Sequence, residues 1–295
     1  MIDLATIDRL APDIGVVSVP CPLCGPERRS SANRRRKVLR IWRLEVGFAT
    51  FHCARCGESG HVRDVNCSSS WGGSVAIARA RAEAAERERV AAGERLSKAL
   101  WLWKSRKPIA GSIAETYLRQ ARGYRGPLAA TLGYLAPRGE HGPAMVAAFG
   151  IATELEPGTL AIADKDLRGI HITRLAADGL SKAGTERDKI MLASSSGFPI
   201  VLAPPSDLLG LAITEGIEDA LSVHQATGLG AWCAGAASRL PALADVVPDY
   251  IEAVTLVVDD DDAGRRNADE LGERLTARGI EVRLALAGAR ARAAA

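Results

Sequence analysis

Two short cysteine pairs constrain this chain more than any other feature. CPLC carries Cys21 and Cys24, CARC carries Cys53 and Cys56, and 28 residues lie between them. Each C-x-x-C loop offers two thiolates from one turn, and two such loops complete a tetrahedral set for Zn2+. A site of this kind typically contributes about 10–16 kcal/mol of folding free energy. The pairs therefore predict a small metal-held module over residues 1–66. Four unrelated buried thiols are the competing reading, and a pair of pairs at this spacing argues against it. A redox C-x-x-C does not come doubled, and six cysteines in 295 residues are too few for a disulfide scaffold.

Between the pairs, Val38 to Trp42 and Leu44 to Phe51 are rich in apolar and β-branched residues, as the short strands of a zinc ribbon require. His52 and His61 lie nearby as spare donors that four cysteines make unnecessary, and Cys67 and Cys233 are read as ordinary thiols. Nine basic residues fall between Cys21 and Cys56: Arg28, Arg29, Arg34, Arg35, Arg36, Lys37, Arg40, Arg43 and Arg55. Only Glu27 and Glu45 oppose them. The whole chain is only +3, so the charge is local. A phosphate backbone is the expected partner, with Arg34, Arg35, Arg36, Lys37 and Arg40 at the centre of the patch. Trp42, Phe48 and Phe51 offer either stacking faces for unpaired bases or a small aromatic core.

The first residues, MIDLATIDRLAPD, hold three aspartates and no apolar h-region. No run reaches the ~18 apolar residues of a membrane span. The expected location is the cytoplasm.

Residues 67–111 read as a linker (CSSSWGGSV) and a helix from Ala76 to Trp103 that Pro108 and Gly111 stop. Residues 112–206 read as a mixed α+β region. There, Ser112 and Glu115 form a capping box, and GIHITRLAADGLSK predicts a hairpin turning at Asp178-Gly179. Over residues 207–290 the rhythm changes. LLGLAIT, GLGAWC, AVTLVV and IEVRLALA are strands, and GIEDALSVHQAT, SRLPALADVV and AGRRNADELGERLTARG are helices between them. This alternation predicts a parallel sheet covered on both faces.

In such sheets, functional groups collect where strands end. Glu215 follows the first strand and Asp259 to Asp262 follow the third, so both segments deliver carboxylates to one edge. Gly216 and Gly264 are expected to make the sharp turns that leave them exposed. Asp259 and Asp261 alternate and point the same way if strand geometry persists, and Asp219 lies one helical turn beyond Glu215. Carboxylates crowded together repel one another unless protonated, well solvated or holding a cation. Hard oxygen donors suit Mg2+ or Mn2+.

Alternatives remain for this acidic run. It suits a solvated loop or a helix N-terminus. A haloacid-type phosphatase also places D-x-D after a strand, but wants Thr or Val where Ala263 stands. A phosphorelay receiver wants its acidic pair at the first strand and a late lysine.

The combination of TEGIEDAL (214–221), AGAA (234–237) and VVDDDDAG (257–264) resembles the Toprim domain shared by bacterial-type primases, topoisomerases and some nucleases. The resemblance implies a Rossmann-like parallel sheet, acid–base or metal-binding work for Glu215, and divalent-metal binding by Asp259 and Asp261 with Asp219 assisting. FHCARCGESGHVRD (51–64) resembles the second knuckle of primase zinc ribbons, where a small-residue turn and a helix start follow. LWKSRKPIAGSIAETYLRQARG, GIHITRLAADGLSKAG and ERDKIMLASSSGFPIVL resemble the region before Toprim in primases of phages and other mobile elements.

The resemblance therefore implies an α/β multidomain primase: zinc ribbon, α+β middle region, Toprim domain. It would use structural Zn2+ and catalytic Mg2+ or Mn2+ to make short RNA primers from nucleoside triphosphates on single-stranded DNA. Arg174, Lys182, Arg187 and Lys189 are candidates for contacting template or nucleotide, or else plain surface charge. Two departures stand out. The usual G-x-D-x-N-D motif beyond the fourth strand is missing from LALAGARARAAA, and no G-x-x-x-x-G-K-[ST] appears, so a separate helicase would be needed. A Toprim nuclease and a non-catalytic DNA-binding replication adaptor are the rival readings.

Overall fold

The computed structural model describes residues 2–26, 31–64, 72–205 and 209–286. Arg28, Arg29, Cys67 and the residues after Leu286 lie outside them. The chain divides into two compact units, Met1–Ala91 and Ala92–Ala295.

The first unit opens with α1 (Leu4–Leu10), whose N-cap Asp3 accepts the Thr6 N–H at 2.8 Å. A four-stranded antiparallel sheet follows in the order β1 (Gly15–Pro20), β2 (Lys37–Glu45), β3 (Phe48–Cys53), β4 (Ser59–Arg63), with the short α2 (Ser31–Arg34) before β2. The strand period of two selects its core: Leu39 and Ile41 of β2 and Ala49, Phe51 and Cys53 of β3 pack with Ile2 and Ile7. Arg43 holds the next inward place on β2. It is buried, ion-pairs with Asp8 at 2.6 Å and donates to the Ala11 carbonyl at 2.8 Å. The helix start expected after the second knuckle is instead strand β4. Without it β3 would leave its outer backbone groups unpaired, and residues 59–63 satisfy them.

The second unit begins within α3 (Gly72–Lys104), whose last turns bury Ala99 and Trp103. α4 (Ile113–Thr116) follows, and a π-helical turn at Tyr117–Ala121 continues it. Ser112 caps α4 as expected, accepting from Ala114 N at 3.2 Å, but Glu115 reaches back to the N–H of Gly111 rather than of Ser112. An antiparallel sheet comprises β5 (Leu132–Leu135), β6 (Ala144–Gly150), β9 (Leu167–Arg174) and β10 (Lys189–Leu192), in the order β10-β9-β6-β5. The strands β7 (Thr153–Glu156) and β8 (Thr159–Ala161) form a separate pair. The turn at Asp178-Gly179 exists, but the residues after it return to β9 only through the single bridge Leu175↔Lys182. The returning strand is β10, because Asp188 accepts from Gly184 N and Thr185 N and builds a second turn first.

A five-stranded sheet completes the unit in the order β11 (Ile200–Ala203), β13 (Gly230–Cys233), β12 (Gly210–Thr214), β14 (Ala253–Val258), β15 (Glu281–Leu286). All pairings are parallel except β11 with β13. Helix α5 (Ile217–Thr227) ends at Gly228, which adopts φ +72°, and α6 (Asp262–Thr276) follows β14. One face of the sheet packs Leu211, Ile213, Val254 and Leu256 against Ala268, Leu271 and Leu275 of α6. The other packs Ile200, Ala231 and Cys233 with Ile217, Ala220 and Leu221 of α5 and with Met145, Ala147 and Phe149 of β6. The segment SRLPALADVV is not an α-helix but two 3-10 turns, Ala237–Arg239 and Pro241–Asp245. Pro241 has no N–H to give and clashes with a helical carbonyl four residues back. Leu240 and Leu243 are buried all the same.

Candidate functional site

In the first unit the four cysteines converge. The sulfurs of Cys21, Cys24, Cys53 and Cys56 all lie within 4.8 Å of one another, with Cys21–Cys56 at 4.0 Å and Cys24–Cys53 at 3.9 Å. Tetrahedral Zn–S bonds of about 2.3 Å put sulfurs roughly 3.8 Å apart, so the set fits a zinc ribbon. Burial and the neighbouring sulfurs push the Cys24 thiol up to about 12. Burial works to raise Cys53 too, but the backbone N–H groups of Cys56 and Arg55 bring it down to about 7. Neither His52 nor His61 joins the set.

Around the knuckles, Arg34, Arg35, Arg36 and Lys37 are exposed. Arg40 is half-buried, 5.7 Å from the Trp42 ring and 3.6 Å from Glu88. Within the basic cluster, Arg43 is engaged internally as described, and Arg55 donates to the Asn33 carbonyl at 3.0 Å. Phe51 belongs to the core, which removes it as a stacking face. Trp42 and Phe48 are only partly buried.

In the second unit, β12 and β14 are parallel neighbours, and their C-terminal ends set Glu215 beside the Asp259–Asp262 turn. Glu215 is half-buried, not exposed, and its Oε1 is buried without a hydrogen-bond partner. Burial, then the charges of Asp259 and Asp261, raise its pKa, while backbone N–H groups of Asp259 and Ala237 partly offset them. The backbone below is pinned: Gly235 N donates to the Glu215 carbonyl at 3.0 Å and the Cys233 thiol donates to it at 3.2 Å. Burial pushes that thiol up to about 12, so it stays a donor.

Strand geometry does not persist past Val258, so alternation is not what brings the aspartates together. Asp261 N donates to the Asp259 carbonyl at 2.8 Å, closing a turn. Asp261 is the N-cap of α6 and accepts from Gly264 N at 2.7 Å through Oδ1, leaving Oδ2 for other work. Asp260 pairs with Arg265. Gly264 is not a turn residue but lies in the first turn of α6, where a Cβ would meet the Asp259 carbonyl at 2.6 Å and Glu215 Oε1 at 2.8 Å. Gly216, at φ −107°, needs no unusual backbone either; a Cβ there would meet Asp219 Oδ2 at 2.6 Å.

Asp219 joins the group from the first turn of α5. Burial, Glu218 and Asp259 raise its pKa. The donor chemistry and the orphaned Glu215 oxygen fit a hard divalent cation. Among the described residues, however, no three of these carboxylates meet the 4.8 Å spacing of the cysteines.

Of the four middle-region cations, the structure brings two to this edge. Lys182 Nζ lies 3.1 Å from Glu218 Oε1, and Lys189 acts on both Glu218 and Asp219. Burial works to raise Glu218, but Lys189, the Tyr117 hydroxyl and Lys182 hold it down at about 2. Arg187 is exposed before β10 and Arg174 half-buried at the end of β9, and neither pairs with these carboxylates. Sequence reasoning missed Glu218 and Tyr117. Glu218 stands in plain view within TEGIEDAL, but Tyr117, 101 residues away, carries no local signal.

Residues 210–292 match the model of the Toprim domain, and residues 93–202 match a domain of unknown function (DUF7146). The C-terminal part of this chain is thus a Toprim domain with a mostly parallel sheet, and the cysteine cluster in the N-terminal unit fits a zinc ribbon. No curated protein matches the chain. Among solved structures, the zinc-binding and RNA polymerase domains of the Aquifex aeolicus primase are similar over 92% of this chain and 72% of that one, with 16% identity and a TM-score of 0.43. The primase fragment of the bacteriophage T7 primase-helicase protein is similar over 91% of this chain and 88% of that one, with 13% identity and a TM-score of 0.37. No helix among the described residues is long and apolar enough to cross a membrane.

Proposed function

We propose that this protein is a primase-like nucleotidyltransferase that makes short RNA primers on single-stranded DNA. One observation carries the reading: an unpartnered, buried Glu215 oxygen faces the Asp259–Asp261 turn at the strand ends of a Toprim domain. Asp259 and Asp261, with Asp219, would hold Mg2+ or Mn2+, which when bound activates the attacking oxygen and offsets charge on the leaving group. Glu215, its pKa raised by burial, is suited to take up the proton of the primer 3′-hydroxyl. The 3′-oxygen then attacks the α-phosphorus in line; the new P–O bond forms as the bond to pyrophosphate breaks. Lys182 and Lys189 supply positive charge beside the carboxylates for the triphosphate. Zn2+ on Cys21, Cys24, Cys53 and Cys56 holds the ribbon, whose Arg34, Arg35, Arg36, Lys37 and Arg40 engage the template.

The test incubates the protein with single-stranded DNA, labelled nucleoside triphosphates and Mg2+ or Mn2+, beside Glu215→Gln and Asp259→Asn. Short triphosphate-dependent products, lost in both variants, are expected. DNA cleavage through the same residues would make it a Toprim nuclease. Intact DNA binding with neither activity would make it an adaptor.

A further inference from the structure

We propose that Glu218 is a positioning residue that holds the Lys182 ammonium at the rim of the carboxylate pocket, as a docking point for the phosphates of a metal-bound nucleoside triphosphate. The proposal rests on the nucleotidyltransferase reading above and adds residues to it. Three segments distant in sequence meet here: the π-helical turn that starts at Tyr117, the β9–β10 connection that carries Lys182, and the first turn of α5 with Glu218. Tyr117 is fully buried, and its hydroxyl lies 2.7 Å from Glu218 Oε1. Arg122 Nε lies 2.9 Å from the same hydroxyl oxygen.

Arginine only donates, so the Tyr117 oxygen accepts from Arg122 and its proton is committed to Glu218. The chain of bonds has one direction, from Arg122 through Tyr117 to Glu218, and it fixes the carboxylate. Glu218 Oε1 also takes Lys182 Nζ at 3.1 Å. That oxygen is thus engaged twice. An ammonium has three donors and Glu218 uses one, which leaves Lys182 donors for an incoming anion without the cost of ordering a long side chain. The π turn that supplies both Tyr117 and, at its end, Arg122 is a rare geometry often found at functional sites. Asp219, the next residue, belongs to the carboxylate group. A bare anion would be repelled there. A polyphosphate carrying Mg2+ satisfies both sides, with its cation on the carboxylates and its oxygens on Lys182.

The experiment titrates Mg2+ tripolyphosphate into the full chain by calorimetry and measures KM for nucleotide in primer synthesis. It compares wild type, Glu218→Gln, Tyr117→Phe, Lys182→Met and the Glu218→Gln/Lys182→Met double variant. Lys182→Met should weaken binding and raise KM by about tenfold, the size of one charge-assisted hydrogen bond. Glu218→Gln, which keeps the side chain's shape, and Tyr117→Phe should each do so by roughly threefold, with kcat little changed. The double variant should be no worse than Lys182→Met alone, because Glu218 acts through Lys182. Unchanged affinity and KM in Glu218→Gln and Tyr117→Phe, or additive losses in the double variant, would overturn the proposal. If wild type makes no primers but tripolyphosphate binding follows the expected pattern, the positioning role stands and the primase reading fails. If primers are made while neither binding nor KM responds to Glu218, the primase reading stands and this proposal fails.

Discussion

Glu215 and Gly264 constrain each other at the residue scale. Any side chain at 264 presses on the Asp259 backbone and on the orphaned carboxylate oxygen. Gly264→Ala is therefore expected to destabilise the fold by about 1–3 kcal/mol, read from the denaturant midpoint. The raised pKa of Glu215 gives a second expectation. Ionisation is harder in the folded chain than in the unfolded one, so its contribution is present below the ordinary glutamate pKa and is lost as pH rises through the raised value. In the presence of a chelator, Glu215→Gln should raise Tm near neutral pH by on the order of 2 °C and lose that advantage in acid. His171 works in the opposite sense. Burial, with Lys189 next, lowers it from 6.5 to about 4. It is folded as the neutral imidazole, so its contribution is present above 6.5 and lost as pH falls toward 4. Stability should drop across that window by an amount on the order of 2 kcal/mol that His171→Leu removes, measured by chemical unfolding at several pH values.

At the scale of elements, α6 shows one residue under two demands. Asp261 caps the helix with Oδ1 and is also the proposed metal ligand. The two roles separate by substitution. Asp261→Asn keeps a capping oxygen and should unfold within a few tenths of a kcal/mol of wild type while losing the proposed metal-dependent activity. Asp261→Ala should lose the activity and also about 1 kcal/mol of stability. The reading of the aspartate run as a helix N-terminus was thus correct for Asp261 and Asp262 and does not compete with the site. Elements with strong local signals were legible: β12, α5, β13, β14, α6 and β15 lie where alternation and glycine stops put them. Elements decided by partners were not. β4 forms because β3 needs an edge partner, β11 joins β13 antiparallel from the middle of the chain, and Pro241 turns an apolar pattern into 3-10 turns without altering what is buried.

At the scale of the molecule, each unit has a core of its own, and the four-cysteine cluster belongs to the first. Treatment with a strong chelator, or Cys53→Ser, should abolish the ribbon's strand signal and, with it, the proposed DNA binding. A cooperative transition from the second unit should remain, followed by calorimetry and circular dichroism. DNA binding that survives chelation would place the basic face elsewhere. The four-cysteine set, the α/β alternation and the two acidic strand ends were legible in the chain's order of residues, because each is written in spacing between near neighbours. Which charges act together was settled by packing. Arg43 was withdrawn into the ribbon by Asp8, while Lys182 was delivered to Glu218 and fixed there through Tyr117. Those outcomes depend on contacts between residues tens of positions apart, and a charge's burial and partners, which set its chemistry, exist only once the chain has packed.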